Sequence, residues 1–204
     1  MGRRDYKAVL FDVTEGDDFH ALWVLLGTLG LRLGEALGLK WTDINWNRNT
    51  LTVQRTLHRD RLSHGLEMQE PKTKGSRRTL TLPTEAKLSL QAHHDRQDLK
   101  RRMTGEVWEA NGLIFSTGMG TPLDQSQIRR HWKSATKKAG LPQYRIHDLR
   151  HSVASNLVAG GMGLLEVAHL LGHSNAAMVV QVYGHIAPDD HRRAASLMDA
   201  LLQR

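Results

Sequence analysis

The longest apolar stretch of the chain, Ala21 to Leu31, lies between His20 and Arg32. Spanning a bilayer takes about 20 apolar residues, so this stretch is too short to cross a membrane and belongs in a protein core. Residues from about Asp18 to Thr28 read as a buried helix. Gly30 breaks it, and a second short helix runs from about Arg32 to Leu39. An arginine amid so many leucines must either reach solvent or be paired. Glu35, three residues on, shares its helix face and is the obvious partner. The ordinary reading of the two is a structural ion pair.

The rest of the chain is mostly helical in pattern. TDINWNRN is turn-rich, and Leu51, Val53 and Arg55 begin a strand. PKTKGSRRTLTLP reads as a hairpin, with Gly75-Ser76 as the turn and Thr79 to Leu82 as the returning strand. Thr84 is an N-cap for a helix from about Glu85 to Met103, GLIFS reads as a short strand, and Asp124 caps a helix that stops at Gly140. Further helices are expected from about His147 to Ala159 and from about Leu164 to Leu171, the latter stopped by Gly172. Ser174 can cap a third, which approaches Tyr183. After Pro188, a final amphipathic helix carries Ala195, Leu197, Met198, Leu201 and Leu202 on its apolar side. The fold class is therefore mainly α with a small antiparallel β-sheet, in one domain over residues 1–204 with one core. About seventeen residues precede the first expected helix.

Lys and Arg number 28 against 21 Asp and Glu, for a net charge of +7. Such a balance favours a polyanionic partner, of which nucleic acid is the commonest. The absence of cysteine excludes a disulfide scaffold, a thiolate metal site and a cysteine nucleophile. The N-terminal MGRRDYKAVLFDV lacks the apolar core of a signal peptide, and Tyr6 sits where a myristoylation motif wants Ser or Thr. The expected setting is intracellular, in the cytoplasm.

Four segments carry residues suited to chemistry. In RIHDLRHSVASNLVAGG, His147 and Arg150 are three apart and share a helix face. They offer a titratable donor and a guanidinium fork to one anion, and arginine suits a phosphate because it donates two parallel hydrogen bonds. In LLGHSNAAMVVQVYGH, Gly172 ends a helix just before His173, and Tyr183 follows between Val182 and Gly184. A tyrosine hydroxyl has a pKa near 10, so it needs cations or a base nearby to act as a nucleophile. TLGLRLGEALGLKWTDINW supplies Arg32, and the hairpin supplies Lys72 and Lys74 near its tip. Taken singly, each has an ordinary explanation: a solvated helix face, a packed tyrosine, a structural ion pair, solubilising lysines.

In this order, however, the segments resemble the tyrosine recombinase, or phage integrase, family. GLRLGEALGLKWTDI is similar to its first box, with Arg32 on the catalytic arginine. PKTKGSRRTLTLP resembles its lysine-bearing hairpin, with the catalytic lysine at Lys72 and Lys74 as the alternative. HDLRH matches the second box through His147 and Arg150, LLGH places His173, and YGH places the nucleophile at Tyr183. The likeness runs from about Asp18 to the C-terminus. It departs at Leu29, where threonine is common, and in lacking the separate helical DNA-binding domain that usually precedes this one.

The resemblance implies cleavage of double-stranded DNA by Tyr183 through a 3′-phosphotyrosyl link, without metal or nucleotide cofactor. It further implies Arg32 and Arg150 on the phosphate and Lys72 as general acid. His147 would be base or hydrogen-bond donor near the tyrosine, and His173 would sit on a phosphate oxygen. It also implies assembly as a tetramer on DNA, with the C-terminal helix docking on a neighbouring subunit. Rival functions are a non-cleaving DNA-binding regulator and a type IB topoisomerase-like relaxing enzyme on the same chemistry. A metal-dependent hydrolase could use His147 with His151 or His169 with His173, each pair four apart. No H-E-x-x-H pattern supports it.

Overall fold

The computed structural model describes residues 5–60, 65–70, 77–141, 143–172, 176–186 and 198–199. A first helix, α1 (Asp5–Thr14), precedes the apolar stretch, which folds as α2 (His20–Leu29) and is followed after Gly30 by the short α3 (Leu33–Leu37). Five strands follow: β1 (Ile44–Asn45), β2 (Thr50–Val53), β3 (Thr56–Arg59), β4 (Leu66–Gln69) and β5 (Arg78–Thr81). The further α-helices among the described residues are α4 (Thr84–Thr104), α5 (Gln125–Lys138), α6 (Ile146–Ala159), α7 (Leu164–Leu171) and α8 (Ala176–Tyr183).

Helix α2 is the axle of the molecule. Ala21, Leu22, Trp23, Val24, Leu25 and Leu26 are all buried, so the helix has almost no solvent face. It is apolar all round because α1, α4 and α6 pack against different sides of it. Helix α1 was not legible as a helix in the sequence. Its Leu10 is fully buried, and Thr14 closes its last turn by donating to the Leu10 carbonyl at 2.9 Å. Contacts with α2 and α5 hold it in place, so tertiary packing and not periodicity secures it. Asp124 caps α5 by accepting from the Ser126 amide, as its sequence position anticipates.

The strands form two small antiparallel sheets. One has the order β1-β2-β5, with Leu51 opposite Leu80 and Val53 opposite Arg78. The other pairs β3 with β4, with Leu57 opposite Met68. The returning strand of the expected hairpin is β5, which pairs with β2, while the hairpin's Gly75-Ser76 turn and its other arm lie outside the described residues. Lys72 and Lys74 themselves lie outside the described residues. GLIFS is not a strand. Leu113 makes a single bridge to Lys40, while Leu113, Ile114 and Phe115 are buried as core.

The expectation of one core is also corrected. Most of the buried apolar side chains form one cluster around α2, but Ala154, Val158, Val167, Ala168, Leu171, Val179 and Tyr183 form a second one among the last helices. The tyrosine singled out from the sequence is therefore anchored by a small core of its own.

Candidate active site

Two glycines bring the site together. Gly30 ends α2 with φ +63°, and its N–H bonds the Leu26 carbonyl at 3.1 Å. A β-carbon there would lie 2.6 Å from a Leu171 methyl, so only glycine lets the end of α7 approach. Gly172 ends α7 with φ +69°, and a β-carbon there would meet the Arg78 guanidinium at 2.7 Å. The two helix ends touch where the arginines gather.

Three guanidinium groups converge on the last three carbonyls of this α7 terminus. Arg78 Nε donates to Leu170 O at 2.7 Å, Arg150 Nη2 to Leu171 O at 2.7 Å, and Arg32 to Gly172 O at 3.4 Å. These carbonyls have no intrahelical partner and lie at the negative end of the helix dipole. Arginine therefore caps this helix, and the helix in turn fixes the arginines. Arg150 also donates to Gly30 O at 2.6 Å, tying α6 to the end of α2.

Glu35 provides the counter-charge. Its carboxylate accepts from Arg32 Nη1 at 2.9 Å, from Arg78 Nη2 at 2.9 Å and from the Arg32 amide at 2.8 Å. Burial works to raise its pKa, but the hydrogen bond and charge of Arg78, followed by those of Arg32, outweigh it and hold the carboxyl below its ordinary range. Arg150 is pushed down to about 10 by burial and then by the charge of Arg32. That value still leaves it charged at neutral pH. The arginines differ in exposure: Arg78 and Arg150 are almost fully buried, whereas the Arg32 side chain is 43% exposed.

The tyrosine lies beside this cluster. Tyr183 is the last residue of α8 and is buried, and burial raises its hydroxyl pKa while the Arg150 charge acts to lower it. Its hydroxyl is 2.5 Å from Nδ1 of His151. His147, one helical turn earlier on α6, is exposed and meets the His151 ring edge-on with centroids 4.7 Å apart. Burial, then the neighbouring His151 and Arg150, lower the His147 pKa from its ordinary value. Asp148 caps α6 by accepting from Arg145 N at 2.7 Å.

Of the residues expected from the sequence, Arg32, Arg150, His147 and Tyr183 gather at this place. Lys72 and His173 lie outside the described residues, although Gly172, the neighbour of His173, is within the cluster. Sequence reasoning missed two members. Arg78 had no motif of its own, and only the alternation in RRTLTLP could have marked it as inward-facing. His151 was weighed solely as half of a metal pair. Among the described residues, no three His, Asp or Glu side chains are arranged to hold a metal ion.

The family model described as "Phage integrase family" matches residues 17–190. The chain belongs to the phage integrase family. Among curated proteins, the tyrosine recombinase XerC-like protein of Caldanaerobacter subterraneus is 33% identical over 93% of this chain and 51% of its own length. An integrase of Streptomyces ambofaciens is 31% identical over 97% of the chain and 52% of its own length. The chain thus spans about half the length of the curated relatives it matches. Among solved structures, the Tn1549 transposon integrase in complex with transposon right-end DNA superposes with a TM-score of 0.74 at 23% identity, over 95% of this chain and 63% of that one. The catalytic domain of bacteriophage HP1 integrase covers 95% of this chain and 90% of its own, with a TM-score of 0.57 at 20% identity. These likenesses establish the integrase catalytic-domain fold, mainly helical with small antiparallel sheets.

Proposed function

We propose that this integrase-family chain is the catalytic domain of a site-specific DNA recombinase that cuts and rejoins double-stranded DNA through Tyr183. The observation that carries this reading is the placement of the Tyr183 hydroxyl on a histidine of α6, beside Arg150 and within one small region with Arg32. Tyr183 attacks the scissile phosphorus, forms a 3′-phosphotyrosyl link and releases a 5′-hydroxyl. Arg32 and Arg150 bind the non-bridging oxygens and stabilise the charge that builds on phosphorus. Lys72, or Lys74 in its place, protonates the leaving 5′-oxygen, His147 is base or hydrogen-bond donor near Tyr183, and His173 holds a phosphate oxygen. Two fixed guanidinium groups supply the charge for which other phosphoryl-transfer enzymes use Mg²⁺, so the scheme needs no metal and no nucleotide. Because the covalent link conserves bond energy, a 5′-hydroxyl reverses the step.

The setting that fits this chemistry is the cytoplasm of a bacterium or phage-infected cell. Among the described residues, no helix is long and apolar enough to cross a membrane. The test uses a library of nicked duplexes with a randomised centre, from which sequences trapped as covalent protein–DNA adducts are recovered. The parent chain is expected to form adducts in excess EDTA. Tyr183→Phe is expected to form none while retaining DNA affinity. An adduct that persists in Tyr183→Phe removes Tyr183 from the mechanism. Failure of every sequence to be trapped favours a non-cleaving regulator, and relaxation of supercoiled DNA without strand exchange favours a topoisomerase.

A further inference from the structure

A tyrosine becomes a nucleophile only when its hydroxyl proton has somewhere to go. Burial makes that loss harder at Tyr183, so the acceptor must be close and aligned. Three observations identify it. First, Nδ1 of His151 lies 2.5 Å from the Tyr183 oxygen, and among the described residues it is the group hydrogen-bonded to that hydroxyl. Second, the ring that carries the hydroxyl is packed in the cluster containing Ala154 and Val158 of α6. His151, Ala154 and Val158 are spaced three and four apart, so they form one helix stripe. The stripe that buries the ring therefore carries His151 level with its hydroxyl. Third, His147 stands one turn further along α6, about 5.4 Å along the axis. It is exposed on the side of Arg32 and Arg150, the groups assigned to the phosphate.

We infer that His151 is a further catalytic residue, the base that takes the Tyr183 proton, while His147 is left to the phosphate. The inference rests on the reading of Tyr183 as nucleophile. In cleavage, the Oη–H bond breaks and its proton passes to Nδ1 of a neutral His151 whose other nitrogen bears hydrogen. The Oη–P bond forms, the bond from phosphorus to the 5′-oxygen breaks, and that oxygen takes its proton from the lysine. In rejoining, the 5′-hydroxyl returns its proton to the lysine. His151 then returns its proton to Tyr183 as the Oη–P bond breaks. No oxidant, reductant or co-reactant is needed.

The deciding variants are His151→Asn, His151→Ala and His147→Asn, assayed for single-turnover adduct formation on a trapped nicked duplex. An asparagine oxygen occupies nearly the position of Nδ1, so His151→Asn keeps a hydrogen-bonding partner for the hydroxyl but cannot carry off its proton. Both His151 variants are expected to slow adduct formation by at least ~10²-fold, with DNA affinity and thermal stability retained. Added imidazole is expected to restore part of the rate to His151→Ala and none to Tyr183→Phe. A parent-like rate in His151→Asn, with the loss confined to His147→Asn, assigns the proton to His147 and overturns the inference. An adduct in Tyr183→Phe instead overturns the parent reading, so the two failures are distinguishable.

Discussion

Glu35 is the residue on which the arginine cluster balances. Arg78 is almost completely buried and pairs with its carboxylate. Removing one partner of a buried ion pair typically costs about 3–5 kcal/mol, because the other charge is left uncompensated. Glu35→Gln is therefore expected to lower stability at pH 7 by that order, measured by urea denaturation. The pH dependence follows from the sign of the shift. The folded-state pKa lies below the ordinary 4.5, so the carboxylate's contribution is complete above that value and is lost as pH falls through the folded pKa. Thermal unfolding of the parent should weaken across that acid range more steeply than that of Glu35→Gln. Equal slopes would show that Glu35 gains nothing from the arginines. Arg32 and Glu35 were legible as a pair from their spacing in an apolar run, whereas Arg78, forty-three residues further on, was not. An ion pair between a helix and a strand leaves no local pattern.

At the scale of elements, the site depends on how α7 stops. Gly172 and Gly112 both have φ +69°, yet a β-carbon at Gly112 would meet nothing within 4 Å while one at Gly172 would press on Arg78. The two alanine substitutions thus share a backbone cost and differ in packing. Gly112→Ala is expected to cost about 1 kcal/mol, the left-handed penalty alone. Gly172→Ala should cost at least about 2 kcal/mol, since the left-handed penalty is joined by displacement of Arg78, a core-overpacking cost of about 1–3 kcal/mol. Equal values in denaturant titrations would mean that Arg78 gives way freely. The helix stops at Gly140 and Gly172 were legible because glycine punctuation is local chemistry. The strand pairing was not: β5 lies opposite β2 and not β4, a choice made by Leu51, Val53 and Leu80 meeting in the core.

At the scale of the whole molecule, the C-terminal tail bears on assembly. Leu197, Leu201 and Leu202 lie outside the described residues, while Met198, on the same expected apolar stripe, is 55% exposed. The proposal is that this helix docks on a neighbouring subunit in a tetramer on DNA. The double variant Leu197→Asp, Leu201→Asp should then leave monomer melting unchanged while coordinated strand exchange on DNA is lost. A fall in the melting temperature of the isolated monomer would place the helix in its own core. Analytical ultracentrifugation with and without the trapped duplex reads the assembly directly.

The sequence by itself determined the helical class, the buried α2, the helix ends and the residues brought by their order into a family's pattern. Each of these is written in local terms: apolar period, glycine stops, charge at fixed offsets. Only the tertiary structure decided that three arginines, one at the N-cap of α3, one in β5 and one in α6, share the carbonyls at one helix end. It alone seated Tyr183 in a second apolar cluster and set its hydroxyl on His151 and not one turn away on His147. The reason is physical. His147 and His151 sit on the same helix face, and sequence cannot say which turn faces a ring on another helix. That is settled by where the ring finds apolar surface, and Ala154 and Val158 supply it next to His151.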